Sequence, residues 1–286
     1  MLSIRSLFNR KKADNGLRVI RLQEVDSTNS YLRQYAAKAR AGEDDATLGT
    51  RLTVVTADYQ TAGRGQGSNT WESDPGRNLL FSILCHPVFV PITAQFTISE
   101  AIALAIRDAV DECSNLKVQS STLKAQSSKF KVQSSKFTIK WPNDIYYADR
   151  KLCGILIENN LAAGHIRDCI IGIGIDVNQE AFHSDAPNPV SLRQILGHDV
   201  DRETLLQDIL RRFSENLAAL ENGDYGQIAA RYMSALYRLH GFHPYRDQDG
   251  TFDAAIVEVE DDGHLILRDR DDRMRSYTFK ELSFLL

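Results

Sequence analysis

The chain has 286 residues, enough for one catalytic domain with a small appendage or for two modest domains. Its 34 Lys and Arg against 38 Asp and Glu leave a formal charge of −4, which excludes a general attraction to nucleic acid or an anionic membrane. No apolar run approaches the roughly 20 residues needed to cross a bilayer, and Cys85, Cys113, Cys153 and Cys169 stand far apart with no CxxC pair, as buried thiols in a reducing, cytoplasmic compartment would.

Residues 1–17 read as a loose leader, because MLSIRSLFNRKK is basic but lacks the apolar stretch and cleavage site of a secretory signal. A strand is expected at Arg18–Leu22. A helix follows from Ser27 to about Lys38, with Asp26 or Ser27 as its N-cap and Tyr31, Leu32, Tyr35, Ala36 and Ala39 as one apolar stripe. Leu52–Ala57 reads as a buried strand that runs into a glycine-rich stretch, and Asn78–Cys85 as another. Beyond Pro91, Ile98, Ile102, Ile106 and Val110 recur every fourth position and predict a long helix packed on the sheet.

Residues 117–137 are three near copies of a seven-residue unit: KVQSSTL, KAQSSKF and KVQSSKF. Their apolar positions alternate at spacings of five and two, which fit neither a coiled-coil seam nor a half-buried strand. The Gln, Ser and Lys content suits a solvated, mobile insertion, with an exposed hairpin as the alternative. Strands are expected again at Phe137–Trp141, Asp144–Tyr147 and Leu152–Glu158, the last two joined by a turn at Ala148–Lys151, and at Cys169–Val177. Helical periodicity runs from about Arg202 to Leu239 through Leu205, Ile209, Phe213, Leu217 and Leu220. From Gly241 the pattern changes to short strands with polar turns, at Ala254–Glu260, Leu265–Arg268 and Arg275–Phe279. That is a small β-barrel-like module, of a size that needs a neighbour to pack against. The expected organisation is α+β: a leader at 1–17, a mixed-sheet domain flanked by helices at 18–240, and the β-module at 241–286.

Four segments carry chemistry. Asp26-Ser27-Thr28-Asn29 sets small polar side chains at a helix start, where free N–H groups suit a polar or anionic ligand group; a plain N-cap has the same appearance. Gln60 to Gly67 (QTAGRGQG), running on to Trp71, places three glycines around Arg64, so backbone and guanidinium could both approach a ligand. It is not a Walker loop, since no Lys-Ser/Thr follows, and a flexible surface turn would read the same way. Lys140-Trp141-Pro142-Asn143-Asp144 offers hard oxygens for magnesium beside a rigid apolar wall. It is followed by Arg150-Lys151-Leu152-Cys153-Gly154, in which Lys151 is a point charge suited to a carboxylate or phosphate. Gly172 and Gly174, in GIGIDVN, weaken a strand unless a ligand or another backbone lies against it. The seven histidines are scattered and argue against a catalytic or metal-bound imidazole.

The order DSTN, YQTAGRG, KWPND, RKLCGILIE, GIGIDVN and a closing β-module resembles the biotin–protein ligases. The resemblance runs from about Glu24 to Leu286, interrupted by the repeat, and KWPND followed by RKLCGIL is its most specific part. It implies an α+β catalytic domain with a C-terminal SH3-like β-barrel. It also implies activation of biotin by ATP, with Mg2+, to biotinyl-AMP, and transfer to a lysine of a biotin carboxyl carrier domain. By the same resemblance Ser27, Thr28 and Gln60, with Asn29 beside them, would bind the ureido end of biotin. Arg64, Gly65 and Gln66 would belong to a loop closing over it. Trp71, Lys140, Asn143, Asp144, Asp176 and Asn178 would serve the nucleotide side, with Asp144 as a magnesium ligand. Lys151, next to Gly154, would hold the biotin carboxylate, and Lys151 and Arg64 would be the catalytic cations.

The pattern is departed from in two places. Gln66 and Gly67 stand where the best-known bacterial form has two arginines, leaving fewer cations to retain the adenylate. Asp176 stands where the glycine-strand motif commonly has Asn. Some 17 residues before the first strand are too few for the helix-turn-helix domain of the family's repressors, so no nucleic-acid or membrane partner is expected, and a monomer or weak homodimer is. The rival readings are a lipoate or octanoate ligase or transferase of similar fold, and a non-catalytic binding module.

Overall fold

A computed structural model describes residues 16–41, 51–67, 69–121, 135–184 and 186–285. A seven-stranded sheet is ordered β1-β2-β3-β7-β6-β5-β4. Its strands are β1 (Leu17–Val25), β2 (Leu52–Gln60), β3 (Leu79–Cys85), β4 (Phe137–Lys140), β5 (Asp144–Tyr147), β6 (Arg150–Ala162) and β7 (His165–Ile175). β1 and β2 are parallel and every other neighbouring pair is antiparallel. Every residue of β3 is buried, because helices cover both faces of the sheet at its centre. α2 (Phe96–Ser121) supplies Ile98, Ile102 and Ile106 to the large core. On the other face α1 (Thr28–Arg40) sets Leu32 and Ala36 on Val55, Leu84 and Ile170. A strand covered on both faces reads as a continuous apolar run.

The expected helix over Arg202–Leu239 is two helices, α4 (Arg202–Glu221) and α5 (Tyr225–Ser234), separated at Gly223, whose φ is +89°. The chain then turns back along β4: Ile139 N–H donates to Ala235 O (2.8 Å) and Tyr237 N–H to Ile139 O (2.8 Å), so this edge strand is covered rather than left open. Between β7 and α4 lies a short helix, α3 (Leu192–Leu196), with a reciprocal Ser191–Gln194 capping box. The repeat begins inside α2, which continues to Ser121; residues 122–134 lie outside the described residues, as do residues 1–15 of the expected leader. Leu17 already belongs to β1.

The C-terminal module is a five-stranded antiparallel sheet ordered β11-β10-β9-β8-β12. It comprises β8 (His243–Asp247), β9 (Gly250–Val259), β10 (Leu265–Asp269), β11 (Met274–Tyr277) and β12 (Ser283–Phe284). Its end strands β11 and β12 are not paired with each other among the described residues, so the sheet is open and the expected barrel is corrected. It has the neighbour its size requires. Trp141 Nε1 donates to Gly263 O (3.0 Å), the Trp141 and Phe279 rings are 5.2 Å apart, and one hydrophobic core runs through both sheets. Among the described residues no helix is long and apolar enough to cross a membrane.

Candidate active site

Side chains alternate along a strand, so positions 170, 172, 174 and 176 face the α1 side of the sheet. They read Ile170, Gly172, Gly174, Asp176. Ile170 packs under α1, and the glycines leave a trough. Asn29 and Trp71 lie against that trough: a β-carbon on Gly172 would stand 2.3 Å from Asn29 Oδ1, and one on Gly154 2.8 Å from Trp71 Cζ3. The trough is the floor of a cavity of about 750 Å³. Ser27, Thr28, Asn29, Gln60, Arg64, Gly65, Gln66, Trp71, Asn143, Asp144, Lys151, Gly154 and Asp176 all line it, gathered from sequence positions up to 149 residues apart (176 − 27).

One end is a polar cage at the start of α1. Ser27 is the N-cap, with a buried side chain that makes no capping bond, while Asp26 Oδ1 accepts from Ser27 N–H (2.7 Å). Gln60 Oε1 accepts from both Thr28 N–H (2.8 Å) and Thr28 Oγ1 (3.1 Å). The Ser82 hydroxyl stands 2.7 Å from Thr28 Oγ1 and 2.6 Å from Asn29 Oδ1, and Asn29 Nδ2 donates to Glu158 (3.2 Å). These groups are oriented by one another and are buried or half-buried, so a ligand there meets fixed donors and acceptors rather than mobile ones.

The other end is charged. Lys151 Nζ donates to Asp144 Oδ2 at 2.6 Å. The Lys151 backbone is fixed from both sides, its N–H donating to Asn188 O (2.8 Å) and its carbonyl accepting from Val190 N–H (2.9 Å). Burial alone would push the Lys151 ammonium down, but the charge and hydrogen bond of Asp144 outweigh it, and the group sits above the usual lysine range. Burial pushes Asp176 well above the usual carboxylate range; Lys151 opposes that and Glu72 adds to it. Asp176 accepts from Asn78 Nδ2 (3.1 Å), and Asn143 Nδ2 donates to Ser99 Oγ (2.9 Å). The Cys153 thiol is fully buried, and burial pushes it well above the usual thiol range. Between the two ends lies Trp71, 5.9 Å from Lys151 Nζ to its ring, with an indole N–H that is buried and has no partner among the described residues.

The glycine stretch is a hairpin over the mouth. Arg64 and Thr70 form a bridge, Gly65 N–H donates to Asn69 O (2.7 Å) and Trp71 N–H to Gly63 O (3.1 Å). A β-carbon on Gly63 would lie 2.8 Å from Trp71 O, so the turn needs glycine there. Arg64 and Gln66 are exposed at the rim.

The sequence reading missed the wall made by Phe182, Ser184, Ala186, Pro187, Asn188 and Pro189. It also missed the side chain that grips it, since Glu72 accepts from His183 N–H (2.7 Å) and Ser184 N–H (2.8 Å). Burial would raise the Glu72 carboxyl, but these amides and the Ser184 hydroxyl outweigh it and hold the group below the usual range. The Asn-Pro pair in this wall was a turn signal, and Ser82 stood out as the polar residue of an apolar strand.

Two expected nucleotide-side residues are corrected. Lys140 turns away from the cavity, with its ammonium over the Tyr146 and Phe284 rings at 5.1 and 5.2 Å. The Asn178 amide is consumed by the backbone of Val200, donating to its carbonyl (2.9 Å) and accepting from its N–H (2.8 Å).

Residues 33–176 match the profile of the Biotin/lipoate A/B protein ligase family. The bifunctional ligase/repressor BirA of Bacillus subtilis is 29% identical over 233 residues, covering 79% of this chain and 64% of that protein; the chain thus spans just under two thirds of that relative's length. The biotin--[acetyl-CoA-carboxylase] ligase of Mycobacterium tuberculosis is 27% identical over 248 residues, covering 86% of this chain and 82% of that one. Among solved structures, the biotin protein ligase from Aquifex aeolicus in complex with biotin and ATP superposes with a TM-score of 0.69 at 25% identity, covering 93% of this chain and 97% of that one.

Proposed function

Because this chain belongs to the Biotin/lipoate A/B protein ligase family, we propose that it is a biotin–protein ligase, which activates biotin with ATP and transfers it to a lysine of a biotin carboxyl carrier domain. In the first step a biotin carboxylate oxygen attacks the α-phosphate of ATP, the bond to the β-phosphate oxygen breaks, and pyrophosphate leaves biotinyl-AMP behind. In the second, the uncharged amine of the acceptor lysine attacks the acyl carbon of this mixed anhydride, AMP leaves with the bonding pair, and the amine proton passes to solvent.

The observation that carries this reading is the placement of the Lys151–Asp144 pair and the α1 polar cage in one trough, with Trp71 between them. The cage takes the ureido ring, whose carbonyl and two N–H groups match the alternating donors and acceptors of Ser27, Thr28, Asn29 and Gln60. Lys151 holds the carboxylate against the α-phosphate and opposes the charge that builds on the phosphoryl oxygens, with Arg64 reaching in from the rim. Trp71 packs beside the adenylate. The carboxylate oxygens of Asp144 and Asp176, both on the cavity wall, are the hard donors magnesium requires. The ion, when bound, would neutralise phosphate charge. Residues 18–240 carry this machinery, and 241–286 brace it through Trp141. The cage also favours biotin over lipoate, because a ureido group can exchange hydrogen bonds with these polar side chains and a dithiolane can offer them none.

The test is transfer of labelled biotin or labelled lipoate to an isolated biotin carboxyl carrier domain with ATP and Mg2+. Biotin-specific labelling of one lysine is expected; transfer of lipoate alone would move the assignment to the sister activity.

A further inference from the structure

Two separate loops roof the cavity, and the Glu72 side chain ties them together near the mouth. Glu72 directly follows Trp71 at the end of the glycine hairpin, and both of its carboxylate oxygens are used on the opposite wall, by His183 N–H at 2.7 Å and Ser184 N–H at 2.8 Å. Other contacts cross the same seam, among them an exposed Arg77–Glu180 ion pair at 3.4 Å and a set of neutral hydrogen bonds. Gln179 Oε1 accepts from Asp74 N–H (3.1 Å) and Asn78 Nδ2 (3.0 Å), and Asn78 Oδ1 accepts from Val177 N–H (3.0 Å). Glu72 is the charged, half-buried tie at the end of the seam nearest the mouth. It sits next to Trp71, whose indole packs over Gly154 and Gly174.

We propose that Glu72 is a positioning residue that latches the glycine hairpin to residues 182–184 and so keeps the acyl-adenylate from leaving before the acceptor lysine arrives. The inference rests on the ligase reading above and deepens it. A mixed anhydride is hydrolysed once it reaches bulk water, so a ligase must hold it. With Gln66 and Gly67 at the hairpin tip there are few cations to grip its phosphate directly, and retention falls to a tie between the walls. Two hydrogen bonds from backbone amides to one carboxylate suit that task, being charge-assisted and fixed in direction. Glutamine cannot replace them, since it has one acceptor oxygen and would turn an N–H toward the second amide.

The experiment uses the full chain and two variants, Glu72→Gln and Glu72→Ala. Amide hydrogen exchange at His183 and Ser184 without ligand reads the latch itself and should quicken about tenfold in both variants. Dissociation of preformed biotinyl-AMP without acceptor should quicken about tenfold as well, while the single-turnover rate of pyrophosphate release stays within about threefold of the unaltered protein. Unchanged exchange would overturn the latch. Faster exchange with unchanged adenylate dissociation would show that it does not retain the intermediate. An equal fall in adenylation would place Glu72 in the chemistry or in the fold at large, and equally overturn the proposal. Absence of biotin-dependent pyrophosphate release from the unaltered chain would sink the ligase reading instead, and the exchange measurement would still decide whether the latch exists.

Discussion

Trp71 packs on Gly174 so closely that a β-carbon at position 174 would stand 2.4 Å from indole Cε2 and 2.7 Å from Nε1. Real β-carbons do not approach other atoms that closely, so the glycine is there to make room for the indole. Gly174→Ala should therefore expel Trp71 from the floor while leaving the sheet paired. Expected are a red-shifted tryptophan emission and a loss of biotin-dependent pyrophosphate release of about tenfold or more. Unchanged emission would mean that Trp71 does not lie on β7.

Lys151→Ala should fold, since the lysine is only half-buried and its backbone contacts do not depend on the side chain. It should lose adenylation on the order of 10² or more, the usual scale for removing a preorganised charge from a transition state. The folded Lys151 lies above the ordinary lysine range. Its charge, and the stability it contributes, is therefore present at neutral pH and is lost only as alkaline pH passes that raised value. A pH–rate profile falling between pH 7 and 9 would then have another origin, and the same fall should persist in Lys151→Arg.

Glu100, on α2, gives a pH dependence in a different window. It is buried, its Oε2 has no partner among the described residues, and burial, with Asp261 adding to it, pushes its carboxyl up to about 8. The folded protein thus keeps a proton that the unfolded chain releases near the usual carboxylate range. Stability should be highest below that range and fall as pH rises toward about 8, levelling beyond it. Glu100→Gln should flatten this slope and raise Tm at pH 9 relative to the unaltered chain. Equal slopes in thermal melts from pH 5 to 9 would contradict the assignment.

The C-terminal sheet is anchored at Gly263, whose φ is +95° and whose added β-carbon would lie 2.6 Å from Phe96 Cδ2. Gly263→Ala should cost about 2 kcal/mol through backbone strain and overpacking together. Denaturant unfolding would read it, and a change below about 0.5 kcal/mol, the scatter of ordinary surface substitutions, would mean that Gly263 is not packed against Phe96 of α2.

Much of this was legible in the sequence because it depends on local pattern. The strand pair at Asp144–Tyr147 and Leu152–Glu158 and the four-residue period of α2 all formed where expected, though β6 and β7 run longer. Gly172 and Gly174 announced a close approach, but a missing side chain cannot say what fills the space, and Asn29 and Trp71 emerged only from the fold. Lys140 misled by proximity: it precedes the cavity residues Asn143 and Asp144 in sequence, yet its side chain points to Phe284. Glu72 left no signal, because its partners are backbone amides 111 and 112 residues away. The break between α4 and α5 was written in Asn222-Gly223-Asp224, and continuous apolar spacing on either side hid it.

The most direct measurement is pyrophosphate release by the purified chain with ATP and Mg2+, with and without biotin. A cavity that sets the Lys151 ammonium against an acid group anchored at the α1 cage should release pyrophosphate only when biotin is present, and Lys151→Ala should slow that release on the order of 10² or more. Release that is indifferent to biotin, or absent from a folded protein that binds ATP, would contradict the assignment.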